Sequence, residues 1–132
     1  MSRILLDTCA YSAFKRGHVA MFQALQGARE IFLTPVVIGE LHCGFLKGNR
    51  VESNVMELEQ FMASPRVDVL PMDEETGHRY ATILRGLQEI GRPIPTNDVW
   101  IASSAMQYGL RLLTTDRHFL EIPQIVTEHH AP

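Results

Sequence analysis

Cysteine, tryptophan and long apolar runs are all scarce in this chain. Its two cysteines, Cys9 and Cys43, lack the spacing of metal-binding motifs and fall in segments with helical patterns, so we expect reduced structural thiols rather than a disulfide. The longest apolar runs are a few residues, far below the ~20 that cross a bilayer, and no signal peptide is evident at the start. We therefore expect no membrane association and a cytoplasmic location.

An excess of positive charge is also missing. Lysine and arginine number 12 against 15 aspartates and glutamates, which gives a net charge of -3. This balance argues against a surface coated in positive charge for indiscriminate nucleic-acid binding. A local basic rim is still compatible with it, although ordinary solubilising charge is an equally good interpretation for each candidate. The candidates flank the acid-bearing segments described below: Lys15, Arg16, Lys47, Arg50, Arg85, Arg92 and Arg117.

The chain has the length and the pattern of one layered domain. Its 132 residues are 45% hydrophobic and contain no repeat and no linker-like stretch, so we expect a single domain over residues 1–132. Short strand-like stretches at residues 4–6, 31–33, 67–70 and 110–114, with a further one near 125–127, alternate with helical patterns. This alternation predicts an α/β fold with a parallel sheet of four to five strands.

Two aspartates follow apolar runs of the predicted sheet. Asp7 comes directly after the run at residues 4–6, and Asp116 comes shortly after the run at residues 110–114. In open parallel sheets, ligands bind beyond the carboxyl ends of the strands. We therefore expect both carboxylates at that edge, although Asp116 also suits the N-cap of a short helical turn through Leu120.

Two further acids occupy core-facing positions of predicted helices. Asp98 lies in the first turn of a helix that begins near Thr96, and the positions three, four and seven residues later are all apolar. Glu40 lies in a helix for which Thr34 is the predicted N-cap, and it shares the apolar face with Leu41 and its neighbours. A carboxylate on such a face needs a hydrogen-bond network, a basic partner or a bound cation.

A divalent cation explains all of these acids together. Oxygen ligands clustered at a sheet edge suit Mg²⁺ or Mn²⁺. Such an ion contacts phosphate and lowers the pKa of a bound water, and a second ion ~4 Å away stabilises the leaving oxygen. The constellation therefore indicates phosphodiester hydrolysis. For any single acid taken alone, a helix cap or a salt bridge is the commoner role.

Four motifs carry a resemblance to a known family. In chain order they read LLDTCAYSAF, TPVVIGELHCGF, PTNDVWIASSA and RLLTTDRHFLEIP. In this order and spacing they resemble the motifs of PIN-domain ribonucleases, and within that family the VapC-type toxins of bacterial toxin–antitoxin pairs. The resemblance covers nearly the whole chain. It implies a three-layer α/β/α sandwich with strand order 3-2-1-4-5.

The resemblance also implies an activity and a set of site residues. The activity is Mg²⁺-dependent or Mn²⁺-dependent endonucleolytic cleavage of RNA, with an acidic set that acts in catalysis and holds the metal: Asp7, Glu40, Asp98 and Asp116. Thr114 matches a hydroxyl residue that orients a water or a carboxylate, and Thr8 is a looser match. The implied partners are a second copy of the chain and a small VapB-like antitoxin, whose tail fills the groove and often supplies an arginine toward the acids.

Three other functions compete with a ribonuclease. A haloacid-dehalogenase-like phosphatase expects a second aspartate two residues after the first, where this chain has Cys9. A receiver-like module expects a lysine at a late strand end, and Thr114, Thr115 and Asp116 offer none. A catalytically silent PIN-like module that binds RNA or protein loses some of the acids, whereas this chain retains the set.

The histidines give no metal-binding signal. The chain has six of them, and none shows ligand-like spacing. We interpret His118, like His18, His42 and His78, as a surface or core side chain. His129 and His130 are expected in a loose tail.

Overall fold

A computed structural model of the chain describes residues 2–132 and contains one parallel sheet. Its five strands lie in the order β3-β2-β1-β4-β5, and all neighbouring strands run parallel. The strands are β1 (Ser2–Leu6), β2 (Ala28–Leu33), β3 (Val67–Val69), β4 (Arg111–Thr114) and β5 (Val126–His129). The predicted strand order is therefore confirmed.

Helices connect the strands and cover both faces of the sheet. They are α1 (Thr8–Lys15), α2 (Val19–Gly27), α3 (Pro35–Lys47), α4 (Val51–Met62), α5 (Glu74–Glu89) and α6 (Thr96–Tyr108), with a short 3-10 helix at Arg117–Glu121. From β1 to β3 the chain adds strands toward one edge of the sheet, and after β3 it returns to the other side of β1 and adds β4 and β5. Right-handed crossovers therefore place α1–α4 on one face and α5 and α6 on the other. This is the expected α/β/α sandwich, with its switch point between β1 and β4.

Local sequence explains where the principal helices begin and end. Thr34 caps α3 by accepting the N–H of Val37 at 3.2 Å, and Asp73 forms a capping box with Thr76 at the start of α5. Helix α6 ends at Gly109, whose φ of 65° lies in the left-handed region that a side chain disfavours. None of the helices within residues 2–132 combines the length and the apolar character that crossing a bilayer requires.

The buried core follows the central strands. Leu5, Leu6, Leu112 and Leu113 are fully buried on β1 and β4, as expected for strands covered on both faces. Phe119 is also fully buried, so it anchors the 3-10 helix that follows β4. The backbone at the carboxyl edge of these two strands is thereby held in place by packing.

The C-terminal segment is ordered by the sheet, which corrects the expectation of a loose tail. His129 pairs with Thr114 in the β4–β5 register, and the N–H of His130 donates to the Thr114 carbonyl at 3.0 Å. The His18 ring and the Ala131 carbonyl oxygen lie 2.7 Å apart. The sequence signal was too short to predict this, because an edge strand of four residues gains its stability from pairing rather than from local propensity.

Candidate active site

Asp7 and Thr114 meet at the carboxyl edge of the two central strands. Leu6 pairs with Leu113, so the residues that follow them, Asp7 directly after β1 and Thr114 at the end of β4, lie side by side. The Thr114 hydroxyl donates to Asp7 Oδ2 at 2.5 Å, and it accepts the backbone N–H of Asp116 at 2.8 Å. One hydroxyl therefore connects the acid after β1 with the acid after β4.

Asp7 is a buried carboxyl group with both oxygens occupied. Its side chain caps α1, because Oδ1 accepts the N–H of Ala10 at 2.7 Å. The residue is only 2% exposed, and burial, with smaller contributions from the charges of Asp98 and Asp116, raises its pKa to about 7. The hydrogen bonds from Thr114 and Ala10 oppose this rise. Near neutral pH, Asp7 is therefore poised between its protonated and ionised forms.

Asp98, Asp116 and His118 converge beside this pair. Each offers one ligand atom, and the three atoms lie within 4.8 Å of one another. The Nδ1 atom of His118 is 3.2 Å from Asp116 Oδ1 and 3.9 Å from Asp98 Oδ2. Burial, together with the charges of Asp116 and Glu40, raises the pKa of Asp98 to about 6. Such mutual repulsion is relieved by a cation, so this donor set fits a divalent metal ion.

Glu40 connects three helices through its two oxygens. Its Oε1 accepts the Thr8 hydroxyl of α1 at 2.5 Å, and its Oε2 accepts the Asn97 amide of α6 at 3.2 Å. Glu40 itself lies on α3 and is half-buried. Glu40, Cys43 and Asn97 line a shallow cleft that opens to solvent. This carboxylate is held in place by neutral donors and does not belong to the three-residue group around His118.

The four acids act electrostatically on one thiol. Burial and these charges together raise the pKa of Cys9 to about 11, and the contributing residues are Asp7, Asp116, Asp98 and Glu40. A thiol with so high a pKa is protonated at neutral pH and is a poor nucleophile. Cys9 and Cys43 are both unpaired, as expected; both reach solvent, although the thiol of Cys9 is partly covered.

The sequence located the carboxylates but missed three of their partners. Asp7, Asp98, Asp116 and Thr114 come together at one edge, and Glu40 lies close enough to affect Asp98. The partners without an assigned function were His118, Asn97 and, beyond a loose family match, Thr8. A signal for His118 was present, because it follows Asp116 by two residues in a turn capped by that aspartate.

The basic residues near these segments are partly engaged elsewhere. Three of the seven candidate rim residues form ion pairs with glutamates rather than with the site acids: Lys15 with Glu57, Arg85 with Glu89, and Arg92 with Glu121. These pairs are exposed and contribute little to stability.

Comparison with known proteins places the chain in a family. Ribonuclease VapC5 of Mycobacterium tuberculosis is 29% identical over 115 residues, which cover 87% of this chain and 84% of the relative. The structure of DNA-bound VapBC from Salmonella typhimurium has a TM-score of 0.85 and 26% identity, and the match covers 98% of each chain.

A further solved structure shares the fold. VapBC-5 from Mycobacterium tuberculosis, a member of the VapBC family of toxin–antitoxin systems, has a TM-score of 0.75 and 22% identity, and the match covers 98% of this chain and 100% of that one. A family model for the PIN domain matches residues 4–125. Because that match spans nearly the whole chain, the protein belongs to the PIN domain family.

Proposed function

We propose that this chain is a metal-dependent endoribonuclease and the toxin of a toxin–antitoxin pair. The observation that carries the proposal is the convergence of Asp98 and Asp116 beside buried Asp7, at the switch point of a PIN sheet. Relatives named Ribonuclease VapC support RNA as the substrate. Similar VapBC complexes support an antitoxin as partner. We extend the proposal to a homodimer, a single domain over residues 1–132 and a cytoplasmic location.

We assign the metal to Asp98 and Asp116, with Asp7 and Glu40 completing the acidic set. The ion is Mg²⁺ or Mn²⁺, because the donors are mainly carboxylate oxygens. When bound, it neutralises the scissile phosphate and lowers the pKa of a water. Asp98 presents its carboxylate from the first turn of α6 beside Asp116 and His118, where it would hold the ion or position that water.

The remaining residues position these groups. Thr114 holds the Asp7 carboxyl group and the backbone of Asp116 in fixed relation. Thr8 and Asn97 hold Glu40 so that its negative charge faces Asp98 without a free side-chain rotation. These contacts pre-organise the negative charge before any cation arrives, which reduces the reorganisation needed during the reaction.

Purified protein is expected to cleave RNA only with a divalent cation. Cleavage should appear with Mn²⁺ or Mg²⁺, disappear with EDTA, and return when the metal is restored in excess. Internally labelled RNA with blocked ends, resolved on a denaturing gel, distinguishes endonucleolytic from exonucleolytic products. Undiminished cleavage in EDTA would contradict the assignment of a metal-dependent reaction. Specific RNA binding without cleavage in any of these metals would instead favour a catalytically silent PIN-like module.

Replacing Thr114 with valine is expected to slow RNA cleavage by roughly 10-fold to 100-fold. The change removes the hydroxyl bond to Asp7 Oδ2 and raises the pKa of Asp7 above its value of about 7, because that bond favours the ionised form. The initial rate should therefore reach its plateau at a higher pH than in the wild type. The rate is measured between pH 6 and pH 9 at saturating Mn²⁺.

Thr115→Val is the matched control for this variant. Thr115 is the neighbouring buried threonine. Its replacement should leave both the plateau rate and the pH profile unchanged. A Thr114→Val enzyme with the wild-type pH profile would show that the hydroxyl does not act through Asp7.

A further inference from the structure

His118 is held against the acidic edge by its backbone. Asp116 caps the 3-10 helix, and its Oδ1 accepts the N–H of His118 at 2.9 Å. The next residue, Phe119, is fully buried, so the turn cannot rotate without losing that packing. The imidazole therefore lies beside the carboxylates because the fold directs it there, even though its side chain is 55% exposed.

The spacing of the three side chains suits ligands of one ion. Bonds of about 2.1 Å to an octahedral ion place neighbouring ligand atoms about 3.0 Å apart and opposite ones about 4.2 Å apart. The distances from His118 Nδ1 are 3.2 Å to Asp116 Oδ1 and 3.9 Å to Asp98 Oδ2, and these values fall within that span. The third separation, between ligand atoms of Asp98 and Asp116, is at most 4.8 Å, so a small side-chain adjustment brings all three atoms within reach of one cation.

The donor set is also unusual in its chemistry. An imidazole nitrogen is a softer ligand than a carboxylate oxygen, and it favours first-row transition ions over Mg²⁺. Among the described residues, His118 supplies the ring nitrogen in the group of three possible ligands that it forms with Asp98 and Asp116. A site with this nitrogen should distinguish Mn²⁺ from Mg²⁺ more strongly than a site made of carboxylates alone.

We propose that His118 is a nitrogen ligand of the catalytic cation, together with Asp98 and Asp116, and that it biases the site toward Mn²⁺. This inference rests on the proposed metal-dependent function. The competing role for the same geometry is a counter-ion: a protonated imidazole that neutralises two carboxylates and must leave before a metal binds. The two roles predict different results for removal of the side chain. Removing a ligand weakens metal binding, whereas removing a counter-ion strengthens it or, where the imidazole is already neutral, leaves it unchanged.

The test is Mn²⁺ binding by the full-length wild type and by His118→Ala. Mn²⁺ is added stepwise to the protein at pH 8, where an ordinary imidazole is unprotonated. The electron paramagnetic resonance signal of free Mn²⁺ reports how much of the ion remains unbound. The expected result is a fall in Mn²⁺ affinity of at least about 10-fold in the variant, with a smaller fall in Mg²⁺ affinity measured by competition. Unchanged or increased Mn²⁺ affinity would overturn the proposal.

A spectroscopic measurement makes the assignment independent of affinity. Electron spin-echo modulation of the bound Mn²⁺ should show coupling to an imidazole nitrogen in the wild type and lose it in His118→Ala. His78→Ala is the matched control, because His78 is also exposed and also lies beside an acid, Glu74, on α5. That variant should keep both the coupling and the affinity.

The outcomes separate this proposal from the proposed function. Wild-type protein that binds Mn²⁺ and cleaves RNA without nitrogen coupling would overturn the role of His118 and leave the ribonuclease assignment standing. Wild-type protein that binds neither Mn²⁺ nor Mg²⁺ would overturn both. If His118→Ala is less folded than the wild type, which circular dichroism reports, His118→Asn provides a polar replacement whose expected loss of nitrogen coupling is the same.

Discussion

Asparagine in place of Asp98 is expected to reduce RNA cleavage by about 10³-fold or more while the fold is retained. The replacement keeps the size and polarity of the side chain but removes the charge that would hold a divalent cation or orient the attacking water. Asp98 lies within the field of Asp116 and Glu40, so loss of its charge also relieves repulsion in the metal-free protein. Thermal stability should consequently be unchanged or slightly higher.

The measurement is the initial rate of RNA cleavage at saturating Mn²⁺, with circular dichroism of the same samples. Asp68→Asn is the control. Asp68 is an exposed aspartate on β3, the edge strand separated from β1 by β2. The Asp68→Asn variant should cleave RNA at the wild-type rate. Full activity of Asp98→Asn would show that this carboxylate takes no part in the reaction. The assigned metal site would then lose its leading support.

Asparagine in place of Asp7 is expected to abolish cleavage and, at the same time, to stabilise the metal-free protein above neutral pH. The pKa of Asp7 rises from 3.8 to about 7 on folding, chiefly because the carboxyl group is buried. Between these values the native state binds more protons than the unfolded state, so the free energy of unfolding falls as pH rises through about 7. Asparagine has no proton to lose at this position.

The expected stabilisation by Asp7→Asn at pH 8 is on the order of a few kcal/mol, or several degrees in Tm. Metal-free wild type should lose stability as pH rises from about 4 to about 7 and should level off by pH 8, and the variant should lose much less. The carboxyl group of Asp98, with its pKa raised to about 6, contributes a smaller change in the same direction. Thermal unfolding in EDTA across this pH range measures the stability of the wild type and of the variant.

Asp73→Asn is the matched control, because Asp73 is also the N-cap of a helix. Its pKa is lowered by the hydrogen bond from Gln107 and by its capping contacts, so its charge is favourable in the folded protein. Asparagine at that position should bring no gain at pH 8. A variant Asp7→Asn that is less stable than the wild type at pH 8 would show that the buried carboxylate is not a destabilising group. The expected result makes Asp7 a residue that lowers stability in return for function.

Local sequence determined the elements and the location of the acids. The apolar runs that became β1 and β4 end just before Asp7 and Asp116, and helical periodicity placed Asp98 at the head of the buried stripe of α6. These features are predictable because hydrophobic spacing and capping act over a few residues. The strand order came from family resemblance, since local patterns contain no information on which strands become neighbours.

Only the tertiary structure decided how the acids are held. Glu40 is fixed by a hydroxyl 32 residues before it in the chain and an amide 57 residues after it, and the Thr114 hydroxyl reaches a carboxyl group 107 residues away. Such contacts depend on strand register and side-chain rotamers, which no local pattern specifies. The same reason explains why His118 went unrecognised: its spacing from Asp116 is visible in the sequence, but its approach to Asp98 arises when α6 packs beside β4.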